Sequence, residues 1–169
     1  RLVVPENYDK NKKYPLILEY TPERGDDNFR QLDTNSVAKV LTGEEYASKY
    51  PCFILLPMCP KGTHYHTGLK HPMNDVMEAT LDILDEVIQN FSVDTNRIYA
   101  GGVSAGASGV WELIARRPDL FAAAFPIAGA PADTSMAPLL KDVPIWAFTA
   151  ADDGGAVLFN TRIVISEMR

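Results

Sequence analysis

The residues with the clearest chemical potential lie in the segment RIYAGGVSAGASG, residues 97–109. Ser104 stands at its centre, with Gly102 and Gly106 two positions away on either side. A serine hydroxyl is exposed as a nucleophile when it sits in a sharp strand-to-helix turn, and such a turn tolerates only small neighbours. The G-x-S-x-G spacing therefore predicts a nucleophilic serine. A glycine-rich turn needed only for close helix–strand packing is the alternative.

The elements on either side of this serine follow from hydrophobic patterns. Short apolar runs typical of buried strands occupy residues 14–20, 52–58, 97–102, 121–127 and 143–149, with residues 1–4 as a sixth candidate. Apolar side chains recur at helical spacing over residues 73–91, which predicts an amphipathic helix. A second helix is expected from Ser104 to Arg116 and a third from about Ala156 onward. The Ala105 amide would open the second helix, where it could stabilise a developing oxyanion.

Strands that alternate with helices predict an α/β fold, built as a three-layer α/β/α sandwich around a mostly parallel central sheet. We expect residues 1–169 to form a single domain of this type. Ligand sites in such sheets lie at the carboxyl ends of the strands. The expected site edge is therefore formed by residues 21–27, 59–66, 102–106 and 149–155.

The chain resembles the α/β-hydrolase serine esterases of the carboxylesterase, phospholipase and polyhydroxybutyrate-depolymerase-like group. The segment VDTNRIYAGGVSAGASGVWELIARRPDLFAAAFPIAG is its most specific part, and ERGDDN, LLPMCPKGT and LKDVPIWAFTAADD are similar to other family segments. The resemblance implies a sheet of the α/β-hydrolase type that lacks its last strand. It also implies hydrolysis of small-molecule carboxylic esters through an acyl-enzyme, by a Ser, Asp, His triad in that chain order and without a cofactor. A peptidase of the same fold is a close variant.

The resemblance assigns the triad acid to the region after the last predicted strand. The family's His-Gly-x-x-Asp pattern matches residues 149–153, which gives Asp153 the role of the acid, with Asp152 as the adjacent alternative. Such a carboxylate orients the histidine and stabilises the imidazolium that forms when the serine is deprotonated. A solvated acidic turn is the competing interpretation.

Two departures from the family concern the oxyanion loop and the base. The segment EYTPERGDD is shorter than the family's loop, lacks His-Gly and contains Pro22, which has no N–H, so we expect Thr21 or Glu23 to offer the second oxyanion amide. No histidine follows Asp153, and a serine without a base is a poor nucleophile. We therefore expect the base to lie beyond Arg169, in a longer protein. A catalytically impaired binding protein with the same cleft is the alternative.

Three histidines lie in GTHYHTGLKHPM, after the second predicted central strand. His64, Tyr65 and His66 are candidates to line a substrate pocket, and a plain exposed loop is the alternative. The H-x-H pattern with His71 resembles a metal-ligand cluster, but the sequence offers no distant ligand. We therefore predict no metal site.

The net charge of −6 and the pI near 5.0 argue against nucleic acid as a partner, because binding it needs a basic face. No apolar run is long enough to span a bilayer, so a soluble protein is expected. The chain begins with Arg1 rather than Met, which weakly favours a removed leader and a secreted or periplasmic protein. Cys52 and Cys59 are expected to be free thiols. The sequence does not indicate an oligomeric state.

Overall fold

Five strands form one sheet in the computed structural model, which describes residues 1–21 and 36–168. The strands are β1 (Leu2–Val3), β2 (Tyr14–Tyr20), β3 (Phe53–Leu55), β4 (Val93–Val103) and β5 (Ala123–Ile127). Their order across the sheet is β1-β3-β2-β4-β5. The pairs within β3-β2-β4-β5 are parallel, and β1 pairs with β3 antiparallel. The prediction of a mostly parallel central sheet is confirmed.

Six α-helices lie within the described residues, four of them between strands and two after β5. They are α1 (Ser36–Thr42), α2 (Glu44–Lys49), α3 (Asp75–Asn90), α4 (Ala105–Arg116), α5 (Ala137–Leu140) and α6 (Gly155–Glu167). The three longest, α3, α4 and α6, were predicted from the sequence. The other three span four to seven residues, which is too short for an apolar period to stand out.

Helices cover both faces of the sheet, as the three-layer prediction requires. Leu16 and Leu18 of β2 point to one face and belong to the same buried cluster as Leu84 of α3 and Val110 of α4. Ile54 of β3 points to the other face and packs against Ala38 of α1. Alternate side chains of the central strands thus face opposite sides of the sheet and pack into two separate apolar layers.

The predicted strand at residues 143–149 is wrong in detail. This segment is extended, but it forms only two isolated parallel bridges to β5, Ala124 with Ile145 and Ile127 with Phe148. Its Pro144 has no N–H to donate, although the Pro144 carbonyl accepts the Ala124 N–H at 2.9 Å. The segment nevertheless lies beside β5, and the residues that follow it, 149–155, belong to the expected site edge.

The remaining corrections concern strand ends. The run at residues 52–58 contributes only the three residues of β3, and the run at residues 97–102 belongs to the eleven-residue β4. Cys52 and Cys59 are free thiols, as predicted, and burial raises the pKa of Cys52. Among the described residues, we find no helix with the length and apolar character needed to cross a membrane.

Candidate active site

Ser104 occupies the single residue between the end of β4 and the start of α4. Its backbone has φ 55° and ψ −119°, in the positive-φ region that residues with a side chain rarely adopt. The residue is exposed, and its hydroxyl makes no capping hydrogen bond to the described amides of α4, although serine is a favoured N-cap. The strained turn therefore presents the hydroxyl to solvent instead of to its own helix.

Glycines around this turn are required by close backbone approach. A Cβ on Gly106 would collide with the carbonyl oxygen of Tyr20, and a Cβ on Gly102 would lie 2.7 Å from the carbonyl carbon of Gly106. A Cβ on Gly129 would collide with the carbonyl oxygen of Ser104. The small residues of the G-x-S-x-G pattern thus let β2, β4 and α4 meet at one point.

The residues expected to donate to an oxyanion lie next to this point. The Ala105 amide opens α4, where the first N–H groups have no intrahelical partner. Thr21 directly follows β2 and is 2% exposed, and its carbonyl oxygen faces Gly106. Glu23, the alternative donor, lies outside the described residues. The Tyr20 carbonyl oxygen faces Gly106 as well, so the Thr21 N–H, on the opposite side of the same peptide, points away from the serine turn. Thr21 therefore requires a correction as an oxyanion donor.

Asp153 lies at the same edge of the sheet. It lines an open depression of about 450 Å³ together with Ile127, Ala128 and Thr149. Its Oδ2 accepts a hydrogen bond from the Ala150 N–H at 2.7 Å. Asp153 as a whole residue is half-buried, whereas the adjacent Asp152 is exposed and is not among the residues that line the depression. Asp153 therefore stays the predicted acid, with Asp152 as the alternative.

Tyr65 requires a correction, because its ring lies in the protein interior. It is 1% exposed and packs against Tyr20 with ring centroids 4.2 Å apart. Its hydroxyl lies 2.8 Å from Thr21 Oγ1 and accepts the Cys59 N–H at 3.0 Å. Burial raises the pKa of Tyr65 to about 12. Tyr65 therefore does not line an open pocket.

His64 and His66 remain at the surface on either side of Tyr65. His64 is exposed, His66 is half-buried, and their ring centroids are 6.2 Å apart. The described residues include no group of three or more His, Cys, Asp or Glu side chains arranged to hold a metal ion. A pocket-lining role for these two histidines stays a prediction.

A buried ion pair on α4 escaped the sequence analysis. Glu112 is fully buried, and its carboxylate lies 2.8 Å from the guanidinium of Arg116. Glu112 also accepts the N–H groups of Thr67 and Gly68 at 2.9 and 2.6 Å. Arg116 in turn donates to the carbonyl oxygens of Gly68 and His71 at 3.0 and 2.7 Å. Through these hydrogen bonds, the ion pair holds the loop that contains the histidines against α4.

The i, i+4 spacing of Glu112 and Arg116 was the available signal for this pair. It does not distinguish a surface pair on the helix from a buried one. The partners of the pair in the loop lie 44 to 48 residues away along the chain, so the local pattern could not supply them.

The fold is that of the α/β-hydrolases, with Ser104 at the strand-to-helix turn and Asp153 at the same sheet edge. No protein-family model matches the chain. It is 45% identical over 49 residues to poly(3-hydroxyalkanoate) depolymerase C of Paucimonas lemoignei, covering 29% of this chain and 12% of that protein. It is 30% identical over 93 residues to acetylxylan esterase A of Emericella nidulans, covering 52% of this chain and 31% of that protein.

Among solved structures, a thermostable esterase is similar over nearly the whole chain. The TM-score is 0.90 with 35% sequence identity, and the match covers 99% of this chain and 46% of that one. The chain thus spans less than half the length of these three proteins. The comparisons confirm its resemblance to the α/β-hydrolase esterases.

Proposed function

We propose that this protein is a serine hydrolase that cleaves carboxylic esters through an acyl-enzyme on Ser104. The observation that carries the proposal is the backbone of Ser104, which adopts φ 55° between a strand and a helix and leaves the hydroxyl exposed. This is the geometry of a nucleophile elbow. The strain has a functional reason, because a relaxed turn would let the hydroxyl cap the helix.

The proposed reaction assigns a role to each group around the turn. Ser104 Oγ attacks the ester carbonyl carbon while a histidine takes the hydroxyl proton, and the carbonyl oxygen becomes an oxyanion. The Ala105 N–H donates to this oxyanion, and Glu23 is the remaining candidate for the second amide. The histidine returns the proton to the leaving alcohol, and water then hydrolyses the acyl-enzyme.

Asp153 is the proposed partner of that histidine. This half-buried residue lines the depression at the serine's edge of the sheet, where its carboxylate would hold the imidazole in the correct tautomer. We do not assign the base to His64 or His66, because both precede the serine and would reverse the family's chain order. The proposal therefore assigns the base to none of the three histidines of this sequence.

The proposed substrate class follows from the reaction of an activated serine and from the names of two sequence relatives. The names of the two sequence relatives, a poly(3-hydroxyalkanoate) depolymerase and an acetylxylan esterase, both refer to ester bonds. A carboxylic ester is the corresponding proposal for this chain. The net charge of −6 is unfavourable for a nucleic-acid substrate.

A fluorophosphonate probe tests the proposal, because it modifies activated serines covalently. Imidazole is included as an external base, since no histidine follows Asp153 in the sequence. We expect labelling that imidazole accelerates and that Ser104→Ala abolishes. The matched control is Ser108→Ala, which removes a serine one turn further along α4 and should label like the parent.

Two outcomes contradict the proposal. Equal labelling of the parent and the Ser104→Ala variant would assign the reaction to another group. A parent chain that stays unlabelled with imidazole, yet binds an ester ligand as well as the Ser104→Ala variant does, would favour the catalytically impaired binding protein. The altered loop after β2 is the observation behind that second candidate.

A further inference from the structure

We propose that Trp111 is a positioning residue that holds the segment after β5 against the serine turn. The inference rests on the proposed function, since the placement of this turn affects a reaction only if Ser104 is the nucleophile. Trp111 is fully buried and lies about two turns further along α4 than Ser104. It does not touch the reacting atoms in this assignment and acts through Gly129, the second residue after β5.

The backbone of Gly129 packs directly on the serine turn. A Cβ on Gly129 would collide with the Ser104 carbonyl oxygen, and it would lie 2.5 Å from Ala107 Cβ and 2.8 Å from the Ser108 nitrogen. All three atoms belong to the turn or to the first turn of α4. The missing side chain therefore lets the segment after β5 lie against the residues that shape the turn.

Trp111 supplies the hydrogen bond that fixes Gly129 at this place. Its indole Nε1–H donates to the Gly129 carbonyl oxygen at 3.1 Å, and both residues are buried. The indole N–H is the one polar group of the side chain, and a buried carbonyl that loses its donor has a large desolvation cost. The segment cannot move away from α4 without breaking this bond.

The backbone just before Gly129 is strained and is bonded to the serine turn. Ala128 has φ 52°, in the positive-φ region that residues with a side chain rarely adopt. The Ile127 carbonyl, in the peptide that precedes it, accepts the Ser104 N–H. Such strain persists only where the surroundings enforce it, and the bond between Trp111 and Gly129 lies one residue away. Without that bond, relaxation of Ala128 would withdraw the Ile127 carbonyl from the Ser104 amide.

This arrangement bears on catalysis because a nucleophile must be held close to its attack geometry. A misplacement of about 1 Å can cost about 10²-fold in rate. A relaxed turn would also let the Ser104 hydroxyl cap α4 instead of facing solvent. Since the bond of Trp111 is one of several supports of the turn, we expect its loss to slow the reaction at Ser104 by about tenfold.

The test measures the rate of fluorophosphonate labelling in the presence of imidazole. In the first variant, Trp111 is replaced by benzothienylalanine, whose ring has nearly the shape of indole but carries sulfur in place of the N–H. We expect it to label about tenfold more slowly than the parent. Trp111→Phe, which loses ring volume as well, should be at least as slow. A parent-like rate in the benzothienylalanine variant would overturn the proposal.

Leu113→Ala is the matched control. Leu113 is also fully buried on α4, but its side chain is a hydrocarbon and donates no hydrogen bond. Its truncation should lower the urea unfolding midpoint, because it leaves a cavity in the core. Labelling without urea should stay within about twofold of the parent. If this control slows labelling as much as the loss of the indole N–H does, any packing defect on α4 has the same effect and the positioning role is rejected.

Residue-resolved amide hydrogen exchange gives a readout that does not need reactivity. We expect at least tenfold faster exchange at Ser104 and Ala128 in the benzothienylalanine variant, with parent-like exchange at Leu84 of α3. If Ser104→Ala labels as fast as the parent, the proposed function fails, and this exchange result alone decides whether Trp111 positions the turn. Unchanged exchange at Ser104 overturns the positioning role whatever the labelling rate.

Discussion

The amide nitrogen of Ser104 donates a hydrogen bond to the carbonyl oxygen of Ile127 at 2.9 Å. Ile127 ends β5 and bridges to Phe148, and the next residue, Ala128, donates its N–H to the Phe148 carbonyl at 2.8 Å. This backbone path leads from the serine turn to the segment that ends at Asp153. The proposed nucleophile and its proposed acid are thus held at one edge by main-chain hydrogen bonds.

Gly106→Ala should disrupt the serine turn, because the added methyl collides with the Tyr20 carbonyl. We expect a loss of about 1–3 kcal/mol in the free energy of unfolding, as for other overpacked sites, and at least tenfold slower fluorophosphonate labelling. Urea unfolding and labelling kinetics measure both. Gly155→Ala is the control, since nothing lies within 4 Å of its added methyl, and it should be neutral or stabilising. If Gly106→Ala unfolds and is labelled like the parent, the turn accommodates the added methyl group.

Glu112→Ala should be strongly destabilising. It removes the carboxylate that pairs with the Arg116 guanidinium, and it leaves the Thr67 and Gly68 amides without their acceptor. Breaking a buried ion pair from one side costs about 3–5 kcal/mol. Urea unfolding measures the loss. Replacing both members of the pair with apolar residues of similar volume should recover part of it.

The exposed pair between Arg117 and Asp119 provides the control for this prediction. Its closest atoms are 3.4 Å apart, and both side chains are more than a third exposed. Asp119→Ala should leave the unfolding midpoint unchanged, because solvent screens such pairs. Equal effects of Glu112→Ala and Asp119→Ala would mean that the buried pair contributes no more than a surface pair.

With imidazole supplied as the external base, Asp153→Asn should slow ester hydrolysis by about tenfold, because an amide cannot stabilise the imidazolium that takes the serine proton. Asp152→Asn should be near neutral, since that side chain is exposed and does not line the depression. Steady-state kinetics on both variants separates the two carboxylates. The reverse pattern would assign the acid to Asp152, and two neutral variants would leave neither residue as the acid.

Tyr65→Phe should make the protein less sensitive to alkali. Burial raises the pKa of Tyr65 to about 12, against about 10 for an exposed phenol. Below pH 10 both states keep the proton and the stabilisation is fully present, but between pH 10 and 12 only the folded chain keeps it. Stability therefore falls as the pH rises through this window, by about 1.4 kcal/mol per pH unit for this one group.

Urea unfolding at several pH values between 9 and 12 measures that slope. The slope should be shallower in Tyr65→Phe by about one group's contribution. Part of it should remain, because burial also raises the pKa of Tyr20. A parallel pH dependence in parent and variant would mean that Tyr65 ionises alike in both states.

Features that depend on near neighbours in the chain were predictable from the sequence. The apolar run at residues 14–20 matches β2 residue for residue, and the helical period over residues 73–91 locates α3 with small errors at its ends. The serine turn followed from two glycines within two positions of Ser104. A strand, a helix and a tight turn each have a local signature, because their side-chain period or backbone requirement is short-range.

What the sequence could not supply depends on contacts between distant segments. Tyr65 looked like a surface residue between two histidines, and only the approach of Tyr20 and Thr21, 44 or more residues earlier, puts its ring in the interior. Nothing in the local sequence singled out Glu112, because its burial depends on a loop about 45 residues away along the chain.

The sequence by itself thus determined the serine, the order of the elements and the α/β architecture. The tertiary structure decided which polar side chains are buried, which of the two adjacent aspartates lines the depression, and which backbone groups Tyr65 and Glu112 meet. The physical reason is that burial and hydrogen-bond partners are set by packing between elements, and no local pattern encodes which distant backbone group a side chain will meet.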